Sequence, residues 1–149
     1  MGATEYVSLA LSVGILLGLF YSRRTGWGCG GLVTPGLLAL KATDPLPLIG
    51  VLFLGSALGL LMRPISERFT LYGRERVGVL LLCALALRLL WRNDFFPIDS
   101  LWIGWVAPGL IAADVQRQGV LPTLSGAVSC GIGTAMVMGV LVSLYGVFA

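Results

Sequence analysis

Histidine is absent from the 149 residues of this chain, and charged residues make up only 11% of them. Histidine is the commonest general base and metal ligand near neutral pH, so its absence removes the usual starting point for a catalytic or metal site. Soluble domains carry about 25% charged residues. The low charge and the 57% share of hydrophobic residues therefore predict an integral membrane protein. Its apolar runs are too continuous for the alternating pattern of an outer-membrane barrel, which leaves an all-α helical bundle as a single transmembrane domain over residues 1–149.

Motifs for catalysis are missing as well. The chain has no Gly-rich loop ending in Lys-Ser or Lys-Thr, and no pair of carboxylates on one face of an apolar run. Its three cysteines lack the spacing of metal or redox motifs, and we expect buried free thiols. We assign the net charge of +3 to basic residues that flank membrane helices, and not to nucleic-acid binding. These absences disfavour a stand-alone enzyme and predict no cofactor and no metal.

Six apolar runs follow one another, at about 6–21, 28–40, 46–62, 77–91, 101–113 and 121–148. The second and the fifth are short, and they share a phrase: GLVTPGLLAL at 31–40 and GWVAPGLIAA at 104–113, which are 73 positions apart. Proline removes a backbone donor and glycine permits unusual dihedral angles. We therefore expect Pro35-Gly36 and Pro108-Gly109 to interrupt membrane helices.

The doubled phrase predicts two repeats of three segments, over about 5–63 and 77–149, joined by a polar cytoplasmic connection over about 64–76. One helix needs about 20 apolar residues to cross the hydrocarbon core, so each short segment either crosses as a broken helix or dips in and returns. If all six segments cross with the N-terminus outside, seven basic residues lie on the cytoplasmic side and three on the other. Re-entrant short segments give six against four. The positive-inside rule favours six crossings, which make the second repeat inverted relative to the first.

Two polar clusters are candidate sites. The first, LYGRER at 71–76, is either a turn with topology-setting arginines or a docking surface for a cytoplasmic partner or an anionic headgroup. The second, DVQRQG at 114–119, directly follows the second Pro-Gly segment. It suits either a bound anion, with Arg117 as the counter-charge, or simple solvation at the membrane interface.

With these motifs, the chain resembles the C subunit of bacterial poly-γ-glutamate synthase, the capsule biosynthesis protein C (CapC/PgsC) family. The resemblance covers essentially the whole chain and rests on RTG at 24–26 with GLVTPG at 31–36, on LYGR at 71–74, and on PGLIA at 108–112 with QRQG at 116–119. It implies a multi-pass subunit of the bacterial plasma membrane, with no catalytic residue assigned. It also implies an ATP-dependent amide ligase partner of Mur-ligase type, the B subunit, and further synthase and export subunits.

The product implied by this resemblance, poly-γ-glutamate, is a polyanion with one carboxylate per residue. Cationic and amide donors along an interrupted-helix path suit its transfer across a membrane. We predict the polymer path at the cytoplasmic mouths of both short segments, formed by Arg23, Arg24, Pro35, Gly36, Pro108, Gly109, Gln116, Arg117 and Gln118. We predict ligase docking at Leu71, Tyr72, Gly73, Arg74 and Arg76.

Two alternatives to this function stay open. One is a small inverted-repeat secondary transporter that binds an anionic metabolite at the Pro-Gly centre. The other is a purely structural membrane anchor. The synthase subunit and both alternatives are compatible with contacts to membrane lipids and with a homo-oligomer.

Overall fold

The computed structural model describes residues 3–40, 42, 45–69, 73–90 and 106–148, and regular structure within them is helical. The all-α prediction is confirmed for this part of the chain. The helices are α1 (Ala3–Thr25), α2 (Thr34–Leu40), α3 (Pro45–Leu61), α4 (Arg63–Arg68), α5 (Arg74–Leu90), α6 (Val106–Gln118) and α7 (Val120–Phe148).

Three stretches are long and apolar enough to cross a membrane: Thr4–Thr25, Leu48–Arg68 and Val120–Gly146. Large apolar side chains remain exposed along them, among them Phe20, Phe53 and Met136, each about 70% exposed. Lipid tails solvate such side chains as well as a protein core does, so exposure on this scale fits helices that face a bilayer. These three stretches are therefore suited to cross a membrane.

Helix α6 lies at the centre of the bundle, where it packs against α3, α5, α7 and α2. Ala107, Ile111 and Val115 join one core cluster with Leu37 of α2 and Val51 of α3. Ala112 joins a second cluster, with Leu58, Leu80 and Ala84. Because α6 contributes to both clusters, its position fixes the other helices relative to one another.

The first Pro-Gly pair begins a helix and does not interrupt one, which corrects the sequence-based interpretation for Pro35-Gly36. Pro35-Gly36 lies in the first turn of α2, and Pro108-Gly109 lies in the first described turn of α6, which follows a part of the chain outside the described residues. Proline is tolerated there because the first backbone N–H groups of a helix have no partner within the helix. The preceding residues 26–33 are not helical.

Glycine in each pair permits close contact with a neighbouring helix. A Cβ on Gly36 would lie 2.9 Å from the Ala10 carbonyl oxygen and from the Leu11 Cα of α1. A Cβ on Gly109 would lie 3.2 Å from the Leu81 Cα of α5. Both copies of the doubled phrase thus use glycine to approach the helix that begins their own half of the chain.

A second pair of contacts links the two halves. Helix α2 packs against α7, and α6 packs against α3. A Cβ on Gly131 of α7 would lie 3.0 Å from Leu38 Cβ, and one on Gly55 of α3 would lie 2.8 Å from Ile111 Cβ. Leu38 and Ile111 occupy the same place in the two copies of the phrase. Each short helix therefore packs against the first helix of its own half and the last long helix of the other half.

Candidate functional site

The polar cluster at 114–118 forms the last turns of α6, where its side chains reach the neighbouring segments. Asp114 and Gln118 are four residues apart and share one face of the helix, whereas Gln116 lies between them and faces the other way. Their hydrogen bonds join α6 to the 26–33 segment, to α3, α4 and α5, and to the start of α7. The candidate site is thus built around one helix end.

Asp114 holds the segment that precedes α2. Its Oδ2 accepts hydrogen bonds from the backbone N–H groups of Gly30 and Gly31, both at 3.0 Å. Gly30 and Gly31 have φ angles of 79° and 100°, a region that favours glycine, because a side chain would be strained there. This glycine pair therefore presents two successive donors to a single carboxylate oxygen.

Gln118 continues the same attachment towards α7. Its Oε1 accepts the Gly28 N–H at 2.7 Å, and its Nε2 donates to the Gly28 carbonyl oxygen at 2.7 Å. The same Nε2 donates to Thr123 Oγ1 at 2.9 Å. One amide side chain thus satisfies both backbone groups of Gly28 and the hydroxyl of a fully buried threonine.

Gln116 binds the opposite side of the bundle. Its Nε2 donates to the Gly59 carbonyl oxygen of α3 at 3.1 Å, and its Oε1 accepts a hydrogen bond from the Ser66 hydroxyl at 3.1 Å. The same oxygen also accepts the Nε–H of Arg76, and a guanidinium donor makes such a bond about twice as strong as one between neutral groups. Gln116 therefore ties the ends of α3, α4 and α5 to α6.

These contacts bring several helix ends to one end of the bundle: the C-terminal ends of α1, α3 and α6 and the N-terminal ends of α5 and α7. We call this the basic end and define it by the described residues within 23–31, 59–76 and 114–123. Its arginines outnumber its carboxylates by seven to three; these are Arg23, Arg24, Arg63, Arg68, Arg74, Arg76 and Arg117 against Glu67, Glu75 and Asp114. Arg63 and Glu67 form an exposed ion pair at 3.2 Å. The remaining excess favours anions near this surface.

The residues predicted for the polymer path occupy three kinds of position. Arg23 and Arg24 are exposed at the end of α1, and Arg117 is exposed on α6. Gln116 and Gln118 are half-buried, with their amides bonded to protein groups. The four Pro-Gly residues are buried at the starts of their helices: Pro35, Gly36, Pro108 and Gly109.

The residues predicted for ligase docking are divided in the same way. Gly73 and Arg74 are exposed where α5 begins. Arg76, two residues further along, is half-buried and bonded to Gln116. Leu71 and Tyr72 lie outside the described residues.

Sequence reasoning missed the glycines at 28–31 and Ser66 as parts of the site. The density of glycine just before the first Pro-Gly pair was a visible signal. Its partner, Asp114, lies 84 positions from Gly30, and neither motif identifies the other without the fold. The Cβ geometry adds a reason for glycine, since a Cβ on Gly31 would lie 2.9 Å from Leu110 Cβ.

An open cavity of about 480 Å³ lies at the other end of α1, away from the basic end. It is lined by Thr4, Glu5, Ser8, Leu9 and Tyr145. The predicted site residues are not among those that line it, so the candidate site is a surface with a polar interior and not this cavity.

Known proteins resemble this chain along most of its length. The family profile "Capsule biosynthesis CapC" matches residues 13–124. The "Capsule biosynthesis protein CapC" of Bacillus anthracis is 33% identical over 146 residues, which cover 93% of this chain and 96% of that protein. The "PGA biosynthesis protein CapC" of Bacillus subtilis (strain 168) is 32% identical over 130 residues, with 82% and 85% coverage. No solved structure matches.

The matched region includes the 26–33 segment, both Pro-Gly pairs and the polar end of α6. The resemblance expected from the sequence motifs is thereby confirmed. The chain belongs to the capsule biosynthesis CapC family.

Proposed function

We propose that the chain is a membrane subunit of a poly-γ-glutamate capsule synthase in the bacterial plasma membrane. In this role it supports polymerisation by a Mur-ligase-like ATP-dependent amide ligase, and it leads the polyanionic product across the membrane. Two relatives that match most of the chain are named for capsule or PGA biosynthesis. The observation that carries the proposal for this chain is the gathering of seven arginines against three carboxylates around the end of α6.

The proposed topology has six crossings, with the N-terminus outside and the basic end in the cytoplasm. Six crossings require that the C-terminal ends of α1, α3 and α6 lie on the same side as the N-terminal ends of α5 and α7. The bonds of Gln118 to Gly28 and Thr123, and of Gln116 to Gly59 and Arg76, favour this arrangement. A re-entrant α2 puts the ends of α1 and α3 on opposite sides, which these contacts oppose.

The six crossings form two inverted repeats, 5–63 and 77–149, joined by the connection over 64–76. Support comes from the shared pattern in which α2 packs on α1 and α7 while α6 packs on α5 and α3. The equivalent positions Leu38 and Ile111 both meet glycine on the helix from the other half. In this arrangement the Pro-Gly pairs fix where the two short helices begin.

In the proposed path, the exposed guanidinium groups of Arg23, Arg24 and Arg117 contact the polymer carboxylates. Gln116 and Gln118 do not contact the polymer themselves. They act indirectly, because their amides bind the segments that carry or border these arginines. Pro35-Gly36 and Pro108-Gly109 set the spacing of the helices behind them. Each arginine stays exposed at the surface, where it is free to exchange one carboxylate for the next.

The ligase docks on the start of α5, where the exposed Gly73 and Arg74 follow Leu71 and Tyr72. Arg76 stabilises the same surface and does not contact the ligase directly, because Gln116 accepts hydrogen bonds from its guanidinium. Contact with a soluble partner at this point is compatible with membrane insertion of the rest of the chain.

Complementation tests this function. A poly-γ-glutamate-producing host that lacks its own copy of the subunit receives the wild-type chain, the Arg117→Gln variant or the Arg23→Gln/Arg24→Gln variant. Arg88→Gln is the matched control, because Arg88 is also an exposed arginine but lies near the other end of α5. We expect less exported polymer from the first two variants and a normal yield from the control.

Ligase co-purification separates the path from the docking surface. Arg74→Glu is expected to reduce recovery of the ligase with the membrane subunit, whereas Arg117→Gln leaves that recovery unchanged. Normal polymer length and export from the Arg23, Arg24 and Arg117 variants would overturn the path. Ion-coupled uptake of a small anion by the isolated chain in liposomes, without any ligase, would favour the transporter alternative.

A further inference from the structure

The glycine pair that receives Asp114 has the geometry of an anion-binding site. Gly30 and Gly31, with φ angles of 79° and 100°, direct successive backbone N–H groups at one oxygen, 3.0 Å from each nitrogen. Successive N–H groups in such a turn form a concave nest that binds anions. Here the anion is a carboxylate that belongs to the chain itself.

The nest is accessible to an outside ligand on its solvent side and is closed by packing on its interior side. Towards the interior, a Cβ on Gly30 would lie 3.0 Å from Ile111 Cγ1, so the backbone is packed against α6. Gly31 and Asp114 are only half-buried. The exposed Arg117 lies close enough to Asp114 to interact with it electrostatically, and it offers the carboxylate a second partner when it leaves the nest.

We propose that this nest is a carboxylate-binding site for the polymer, and that Asp114 is an internal occupant that the polymer displaces. The inference rests on the proposed function, which supplies the ligand. A γ-linked glutamate residue carries a free carboxylate on its α-carbon, the same group as the side chain of Asp114. The arginine excess at the basic end raises the local concentration of such carboxylates.

Displacement exchanges one carboxylate for another at the two backbone N–H groups, and the guanidinium of Arg117 compensates the added negative charge. The polymer carboxylate takes the N–H groups of Gly30 and Gly31, and Asp114 turns towards the guanidinium of Arg117. When no polymer is present, Asp114 returns and fastens the 26–33 segment to α6. The site therefore closes itself when it is idle, at the cost of a weaker apparent affinity for its ligand.

Binding of a fluorescent γ-linked glutamate oligomer to the purified full-length protein in nanodiscs tests the competition. Weakening the internal competitor in Asp114→Asn, where a neutral amide replaces the carboxylate, is expected to tighten binding by up to about tenfold, the change expected if the nest is vacant about a tenth of the time in the wild type. Arg117→Gln is expected to weaken binding. An oligomer whose carboxylates are converted to amides serves as the matched ligand control and is expected not to bind.

A second measurement does not depend on the folding of an Asp114 variant. Cys29 is 2% exposed beside the nest, and in a Cys83→Ala/Cys130→Ala background it is the one thiol left. The oligomer is expected to accelerate alkylation of Cys29 as the 26–33 segment loosens from α6. The amidated oligomer is expected to leave the rate unchanged.

The outcomes separate this inference from the proposed function. Two results would overturn the nest and leave the polymer path intact. In the first, binding depends on Arg23, Arg24 and Arg117 but is unchanged or weakened in Asp114→Asn. In the second, the oligomer binds without faster alkylation of Cys29. Absence of oligomer binding to every form of the protein, together with normal export by the arginine variants, overturns both.

Discussion

Removal of the Gln118 side chain is expected to loosen the basic end, because this side chain attaches the 26–33 segment and the start of α7 to α6. In Gln118→Ala, both backbone groups of Gly28 and the hydroxyl of Thr123 lose their partner on α6. A typical hydrogen bond contributes about 0.5–1.5 kcal/mol net, and a buried group left unpaired costs about 1–3 kcal/mol. Gly28 is half-buried and Thr123 retains its bond to the Gly119 carbonyl oxygen, so water and this bond offset part of the loss.

We therefore expect a loss of about 2 kcal/mol in the free energy of unfolding, or roughly a 30-fold fall in the ratio of folded to unfolded protein. Detergent-to-SDS titration, with circular dichroism as the readout, measures this quantity. Arg117→Ala is the matched control: the residue is exposed on the same helix, and surface substitutions usually change stability by less than about 0.5 kcal/mol.

Gln118→Glu provides a sharper test of the geometry. It retains an acceptor for the Gly28 N–H, but it places a carboxylate oxygen against the Gly28 carbonyl oxygen, which is 2.7 Å from Nε2 in the wild type. We expect it to be at least as destabilising as alanine. If Gln118→Ala and Arg117→Ala unfold with the same free energy, the reasoning that assigns Gln118 to the attachment of the 26–33 segment is wrong.

Three further predictions follow from the packing and the topology. Gly14→Ala is expected to lower the free energy of unfolding by about 1–3 kcal/mol, because its Cβ would lie 2.6 Å from the Gly36 Cα and force α1 away from α2. The control Gly139→Ala, with nothing within 4 Å of its Cβ, is expected to be neutral or stabilising. Thermal unfolding in detergent compares the two variants, and equal losses would contradict the close contact. A double-mutant cycle with Arg76→Met and Gln116→Leu is expected to give a coupling energy of about 1.5–3 kcal/mol, the range for hydrogen bonds to charged groups, and a coupling near zero would mean that the two side chains do not interact. In a cysteine-free background, Thr4→Cys is expected to react with an impermeant maleimide from outside whole cells and Glu67→Cys only after permeabilisation; labelling of both from one side contradicts the proposed crossings.

The sequence predicted the helical class and the approximate limits of most helices, because apolar runs bounded by arginine leave little choice in a bilayer. The 77–91 run, for example, corresponds to α5 at Arg74–Leu90. The sequence-based prediction failed at the first Pro-Gly pair. Pro35-Gly36 was interpreted as an interruption because proline and glycine have the same local effect at the start of a helix as within it. Only the contact between Gly36 and α1 explains why glycine follows proline there.

The polar contacts could not be predicted for a different reason. Asp114, Gln116 and Gln118 were visible as a cluster, but a cluster at a membrane interface is satisfied equally well by water, by a ligand or by other parts of the chain. Their partners lie 84, 57 and 90 positions away, at Gly30, Gly59 and Gly28. These partners use backbone atoms, which have no signature in the sequence. Hydrogen bonds from side chains to distant backbone groups are therefore the least predictable part of this site.

The two copies of the doubled phrase differ where the chemistry is concentrated. They agree at the positions that pack: proline at the helix start, glycine against the neighbouring helix, and Leu38 or Ile111 against a glycine from the other half. Directly after the phrases the agreement ends, with KATDP at 41–45 against DVQRQ at 114–118. Asp114 thus corresponds to a lysine in the first copy, so the internal carboxylate exists once. A scaffold that packs in the same way in both halves but has a carboxylate at this position in only one has a single point of control. Substitution of the packing positions should therefore affect stability from either half, whereas the displaceable carboxylate comes from the second half alone and acts on donors of the first half, Gly30 and Gly31.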